Sequence, residues 1–203
     1  MFGWFNKEIN SLDDIKGLKM RIPGVGGEVL KRAGGIPVTL PGGELFTALQ
    51  TGVIDATEWV GPYNDLTFGF HQIAKYYYYP GWHEPGSMLE LLINKDEWDQ
   101  LPNHLKAIIE TAAKAVNQDI LDEYTAKNNS ALRELVDTHN VELRKLPDDV
   151  INEFKLIANQ ILEENARKDE MVNKVYQSYK SFKKDVSEYH KVSEDAFVEA
   201  RNN

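Results

Sequence analysis

The chain has 203 residues, 42% of them hydrophobic, and a formal charge of −9; that is enough apolar mass for a packed core, while the acidic balance excludes a nucleic-acid or anionic-lipid surface as the main partner. The absence of cysteine excludes disulfides, thiolate metal sites and a cysteine nucleophile. An anionic ligand would need a local positive group inside a cleft, because the overall field opposes it.

Apolar runs fall short of the ~18 residues that a membrane-spanning helix needs. The opening run Met1 to Glu8 lacks a basic segment followed by an apolar one. The expectation is therefore a protein that stays inside, or one whose leader lies upstream.

In chain order, residues 18–22 read as a short strand ended by Pro23-Gly24. Residues 28–33 fit a helix closed by Gly34-Gly35, and residues 36–40 a second strand with Pro37 near its start. Gly42-Gly43 precede a helical turn over 44–50 that stops at Gly52, and residues 53–58 form a third strand. This strand–helix alternation predicts a sheet that is parallel at its heart. Residues 76–79 and 88–94 are two further strand candidates around a Pro-Gly-rich turn, and Asp96 caps a short helix running to Leu101. From Asn103 to about Thr138 no Gly or Pro interrupts, and Leu105, Ile108, Ile109, Ala112, Ala113 and Val116 make a stripe at helical spacing. At ~1.5 Å per residue that helix reaches roughly 54 Å, so it must cross between two bodies or pack on a partner. Residues 141–146 predict another strand, Pro147-Asp148-Asp149 another helix start, and residues 171–189 a last helix studded with Tyr and Phe.

Candidate functional groups gather at predicted strand ends. Arg21 closes the first strand, and ligands in open α/β sheets collect at carboxyl ends of strands. Its guanidinium fork matches the two oxygens of a carboxylate; the plain alternative is a surface pair with Glu28. The run Gly24-Val25-Gly26-Gly27 lacks the rest of a phosphate-binding motif, and a tight strand-to-helix turn explains it. Glu58-Trp59 follow the third strand, and Gly81-Trp82-His83-Glu84-Pro85-Gly86 put a second carboxylate in an irregular turn. Two such glutamates suit one hard cation, although spacing alone leaves open whether they meet. His71, His83, His104, His139 and His190 are scattered without zinc-protease spacing, and no Gly-x-Ser-x-Gly nucleophile elbow occurs. Tyr76 to Tyr79 and the late set Tyr176, Tyr179, Phe182 and Tyr189 read first as core or helix packing.

Together, residues 12–23 with Lys19-Met20-Arg21-Ile22-Pro23, residues 43–56, Glu58-Trp59-Val60-Gly61-Pro62-Tyr63 and residues 78–86 resemble the solute-binding proteins of tripartite ATP-independent periplasmic (TRAP) transporters. The last two motifs resemble the branch that takes 2-oxo or 2-hydroxy monocarboxylates; Glu58-Trp59-Val60 stands where the dicarboxylate branch has Glu-Asn-Pro. The resemblance runs from about Trp4 to the C-terminus. It implies an α/β fold of the periplasmic-binding-protein type: a mostly parallel sheet lobe, a long spanning helix and C-terminal helices. Residues 1–100 would be the α/β lobe with crossing hinge strands, and 101–203 the long helix and the C-terminal helices. It implies that Arg21 pairs with the ligand carboxylate, that Glu58, the Trp59 carbonyl and Glu84 hold a sodium or calcium ion, and that Trp59, Tyr63 and Trp82 shape the apolar wall. It implies no organic cofactor, a periplasmic location and TRAP membrane subunits as partners. The family's N-terminal lobe, with a further cation ligand, has no counterpart here. The expectation is that this chain alone binds ligand poorly, or needs a partner chain to cover exposed apolar surface; self-association through the long helix, as a homodimer, is a further expectation. Two rivals stand beside this reading: a metal-dependent lyase or hydrolase using Glu58, His83 and Glu84, and a helical interaction protein acting through 103–203.

Overall fold

The computed structural model describes residues 1–84, 86 and 89–202. The chain divides into two compact units, 1–153 and 154–203. The first is built on six strands: β1 (Gly3–Phe5), β2 (Lys19–Arg21), β3 (Ile36–Val38), β4 (Ala56–Thr57), β5 (Tyr76–Tyr79) and β6 (Glu142–Lys145). They lie in the order β3-β2-β4-β1-β5-β6. Pairs β2–β3, β2–β4 and β5–β6 are parallel, whereas β1 is antiparallel to both β4 and β5. Five strands therefore point one way and β1 alone the other. The α/β class stands, with three of five pairings parallel, but the heart of the sheet is antiparallel, contrary to the expectation. The cause is β1 itself, three residues too short to show an alternation.

Helices α1 (Gly24–Arg32), α2 (Leu45–Gln50) and α3 (Pro62–Phe68) follow β2, β3 and β4. Helix α1 starts four residues earlier than expected, directly after Pro23. Two of its glycines have separate causes: Gly24 takes a positive φ of 60°, and a methyl on Gly27 would sit 2.6 Å from the Ile22 carbonyl oxygen. Pro37 lies on the edge strand β3, where its missing N–H breaks no central ladder. The core of this unit packs Trp4, Leu45, Leu49, Ile54, Phe70, Tyr77, Leu135 and Val141. Trp4 stacks on Tyr77 at 4.2 Å between ring centroids, so the neighbouring strands β1 and β5 are joined by large aromatic side chains.

Of the second strand candidate at 88–94, Met88 lies outside the described residues and Leu89 to Asn94 form no strand; Leu89, Leu91 and Leu92 stand exposed. The run is apolar enough for a strand, but among the described residues none pairs with Leu89 to Asn94 in a ladder. Helix α4 (Lys95–Gln100) is capped by Asn94, whose side chain accepts from the Asp96 and Glu97 amides, rather than by Asp96. Helix α5 (Asn103–Asp137) has 35 residues, about 52 Å at the standard rise. Its expected apolar stripe stays largely uncovered, with Ile108 61% exposed, and only Ala131 and Leu135 near its end are buried. Helix α6 (Asp148–Lys168) carries the unit boundary. In the second unit α7 (Glu170–Val192), capped by Asp169, is followed by α8 (Glu194–Asn202), which the sequence reading did not separate. None of the described helices is long and apolar enough to cross a membrane.

Two polar devices fix the first unit. Asp65, fully buried, accepts from Trp4 Nε1 (2.9 Å), the Tyr77 hydroxyl (2.7 Å) and the Gly61 amide (3.0 Å). Burial nevertheless raises its pKa above the ordinary carboxylate value, and the three donors only partly offset this. Asp65→Ala orphans three donors and should destabilise the protein by about 3 kcal/mol or more, read by chemical denaturation; an unchanged midpoint would show that the network is dispensable.

The second device is a pair of imidazoles, His71 and His139, with ring centroids 4.1 Å apart near the end of α5. Burial first, then His139, lowers the His71 pKa, while Glu134 pulls it upward. A depressed histidine contributes stability above its unfolded pKa of about 6.5, and that contribution is lost as pH falls through the folded value. The melting temperature should therefore drop between pH 7.5 and 5, and the drop should shrink in His71→Gln; an equal drop in both proteins would exclude this source.

Candidate functional site

Because five strands share a direction, the carboxyl ends of β2, β4 and β5 emerge at one edge of the sheet. Arg21 ends β2, Glu58 and Trp59 follow β4, and Trp82, His83 and Glu84 follow β5. The register places Arg21 beside Thr57, and the Glu58 amide donates to the Arg21 carbonyl (3.2 Å). Two segments 37 positions apart in sequence are thus clamped side by side.

The Arg21 guanidinium is already engaged. Its Nη1 forms an ion pair with Glu58 Oε1, and its Nε donates to the Leu40 carbonyl (3.2 Å). Its Cζ lies 5.6 Å from the centre of the Trp59 ring, within cation–π range. Both charged side chains are largely buried, at 15% and 7% exposure. The partner is therefore Glu58; Glu28 pairs with Arg32 instead. Sequence reasoning gave Arg21 and Glu58 separate tasks, on the ligand and on a cation, and the structure brings the two together.

The second Glu58 oxygen, Oε2, faces His83 Nε2 at 3.8 Å, too long for a hydrogen bond. Glu58, His83 and Glu84 each offer a ligand atom within 4.8 Å of the others, and they are the only such group among the described residues. Two carboxylates suit a hard cation, and the imidazole nitrogen adds a third donor. The His83 side chain is 8% exposed, and its Nδ1 has no hydrogen-bond partner among the described residues, nor has Trp59 Nε1.

The floor beneath is aromatic. Phe2 sets its ring against Trp82 and His83, each 5.9 Å away. Trp59 packs on Phe68 (4.8 Å), and a methyl on Gly42 would come within 2.7 Å of its ring. A methyl on Gly3 would stand 2.2 Å from the Thr57 carbonyl, so only glycine lets β1 pass this close under the Thr57–Glu58 turn. Tyr63 turns instead to α5: its amide donates to Asn128 Oδ1 (3.0 Å), its hydroxyl to Glu123 (3.1 Å), and Lys127 donates to that hydroxyl (3.0 Å). Pro85 of the last motif lies outside the described residues.

A 2-oxoacid-binding periplasmic protein for monocarboxylates from Nostoc sp. (strain PCC 7120) is 44% identical over 194 residues, which are 96% of this chain and 53% of that protein. A solved TRAP periplasmic solute-binding protein from Colwellia psychrerythraea, with bound calcium and pyruvate, superposes with a TM-score of 0.93 at 42% identity. One from Pseudoalteromonas atlantica T6c, with bound sodium and pyruvate, gives the same values, and each covers 98% of this chain and 60% of its own. The chain thus spans between half and two thirds of the length of these relatives. Residues 1–169 match the sequence model of the bacterial extracellular solute-binding proteins, family 7 (DctP). The chain belongs to that family, one of binding proteins and not of enzymes.

Proposed function

We propose that this chain captures a small 2-oxo or 2-hydroxy monocarboxylate, such as pyruvate or lactate, for a TRAP transporter in the periplasm. The observation that carries this reading is the convergence of one guanidinium and a carboxylate–imidazole–carboxylate group at a single sheet edge over an aromatic floor. In this reading Arg21 pairs with the ligand carboxylate. Glu58, the Trp59 carbonyl and Glu84 hold a sodium or calcium ion, which when bound supplies positive charge for the ligand's second oxygen. Trp59, Trp82 and Tyr63 limit the pocket, Tyr63 from its place against α5. The pyruvate bound in the Colwellia and Pseudoalteromonas proteins, and the 2-oxoacid named for the Nostoc protein, support the substrate class.

Functionally the chain divides at about residue 100. Residues 1–100 carry every group of the site, and 101–203 supply the long helix and those after it. Partners on this reading are the TRAP membrane subunits and a second copy docked on α5, where Ile108, Val116 and Leu121 stand exposed. Sedimentation equilibrium at tens of micromolar should show a dimer, and a monomer at that concentration would remove this part of the proposal.

Calorimetric titration with pyruvate in calcium tests the ligand assignment. Arg21→Lys keeps the charge and loses the fork, and should weaken binding by about 2 kcal/mol, roughly thirtyfold in Kd. Pyruvate affinity equal to that of the unaltered chain would sink the role of Arg21, and titration of succinate should release less heat at every concentration.

A further inference from the structure

We infer that Glu58 is a gate on Arg21: without a cation its carboxylate occupies the guanidinium, and transfer of that carboxylate to a cation shared with His83 and Glu84 frees Arg21 for the organic acid. The inference rests on the reading above, in which Arg21 receives the acid and Glu58 a cation. It adds an order to the two events and a route for their coupling.

The occupancy of the guanidinium carries the argument. A carboxylate arriving from solution needs two adjacent N–H groups for a bidentate pair. Nε is taken by the Leu40 carbonyl and Nη1 by Glu58, while the Trp59 ring lies close by. Neither edge of the fork therefore offers two unshared nitrogens, and withdrawal of Glu58 clears the Nη1–Nη2 edge. Glu58 has somewhere to go, because its other oxygen lies 3.8 Å from His83 Nε2 without a hydrogen bond to it, and Glu84 offers a ligand atom within 4.8 Å of both residues.

Charge balance points the same way. Glu58 already matches Arg21 in charge, so an organic monoanion adds an uncompensated negative charge to the site. Burial of Arg21 and Glu58 keeps solvent from screening that excess. A cation offsets that excess, a divalent ion more strongly than a monovalent one, so calcium should promote acid binding more than sodium does. By linkage, the acid must raise cation affinity by the same factor.

The test uses the full chain labelled with 13C and 15N, with Arg21 assigned by its loss in Arg21→Lys, and calcium chloride alone as the probe. Without calcium the Arg21 guanidinium signals should show hindered rotation, and in Glu58→Gln they should not. Calcium should shift the Glu58 carboxyl carbon and release the Arg21 signals together, and pyruvate should then bind at least about tenfold more tightly than in calcium-free buffer. A Glu58 carboxyl that responds to calcium while Arg21 stays hindered overturns the gate and leaves the cation site standing. A Glu58 carboxyl that does not respond removes the cation site, and the gate with it. Hindered rotation persisting in Glu58→Gln also overturns the gate, since another group would then hold Arg21.

Discussion

The ion pair between Arg21 and Glu58 is the contact through which the rest of the site is arranged. Two nearly buried charges are tolerated only because they meet; removing either partner leaves the other uncompensated at a cost of several kcal/mol. The meeting is imposed by the backbone. Parallel pairing of β2 with β4 sets Arg21 beside Thr57, and the Glu58 amide is tied to the Arg21 carbonyl. A slip of one residue in that register would separate the charges and turn the inward faces of both strands out.

The single reversed strand explains how a third loop reaches the same place. Strand β1 lies between β4 and β5, so the Glu58 and His83 segments start about 9–10 Å apart, two strand spacings. They close over the first residues of β1, where Gly3 offers no side chain and Phe2 offers a flat ring. Gly26, in the first turn of α1, also packs here: a methyl there would come within 3.0 Å of the Ile22 side chain and make ordinary contact with the His83 Cβ. Small residues at these positions let side chains from three loops share one hollow.

Much of this was legible in the sequence, and the remainder has identifiable causes. Tyr76–Tyr79 and the core of α5 announce themselves by β-forming aromatics and by an unbroken 3.6-residue pattern. Arg21, Glu58 and Glu84 could be picked out because each follows a strand at its carboxyl end. The Arg21–Glu58 pairing could not, since it is a product of register between distant segments. Strand β1 escaped notice because Gly-Trp-Phe is too short for a period, and residues 89–94 misled because an apolar run fits a strand or a surface equally well. Asn94 and Asp96 are both capping residue types; only the backbone decides which precedes the first turn. Asp65 was passed over among the polar residues of a short helix. The signal available was its place four residues after Gly61, which lets its carboxylate reach back to that amide.

Asp65 also bears on how the site responds to ligand. The turn carrying Glu58 and Trp59 ends at Gly61, whose amide is held by Asp65, and Asp65 is held in turn by Trp4 of β1 and Tyr77 of β5. The backbone below the site is therefore pinned to β1 and β5 by groups to which the proposed site assigns no contact with ligand or cation. Trp59 is likewise confined between Phe68 and Gly42. What is left free to rearrange is the pairing of long side chains, Arg21 with Glu58 and Glu58 with His83, across distances of a few ångströms. A site with a fixed floor and exchangeable ion partners stores its response in electrostatics, because swapping the partner of one buried carboxylate changes the local charge without disturbing the core.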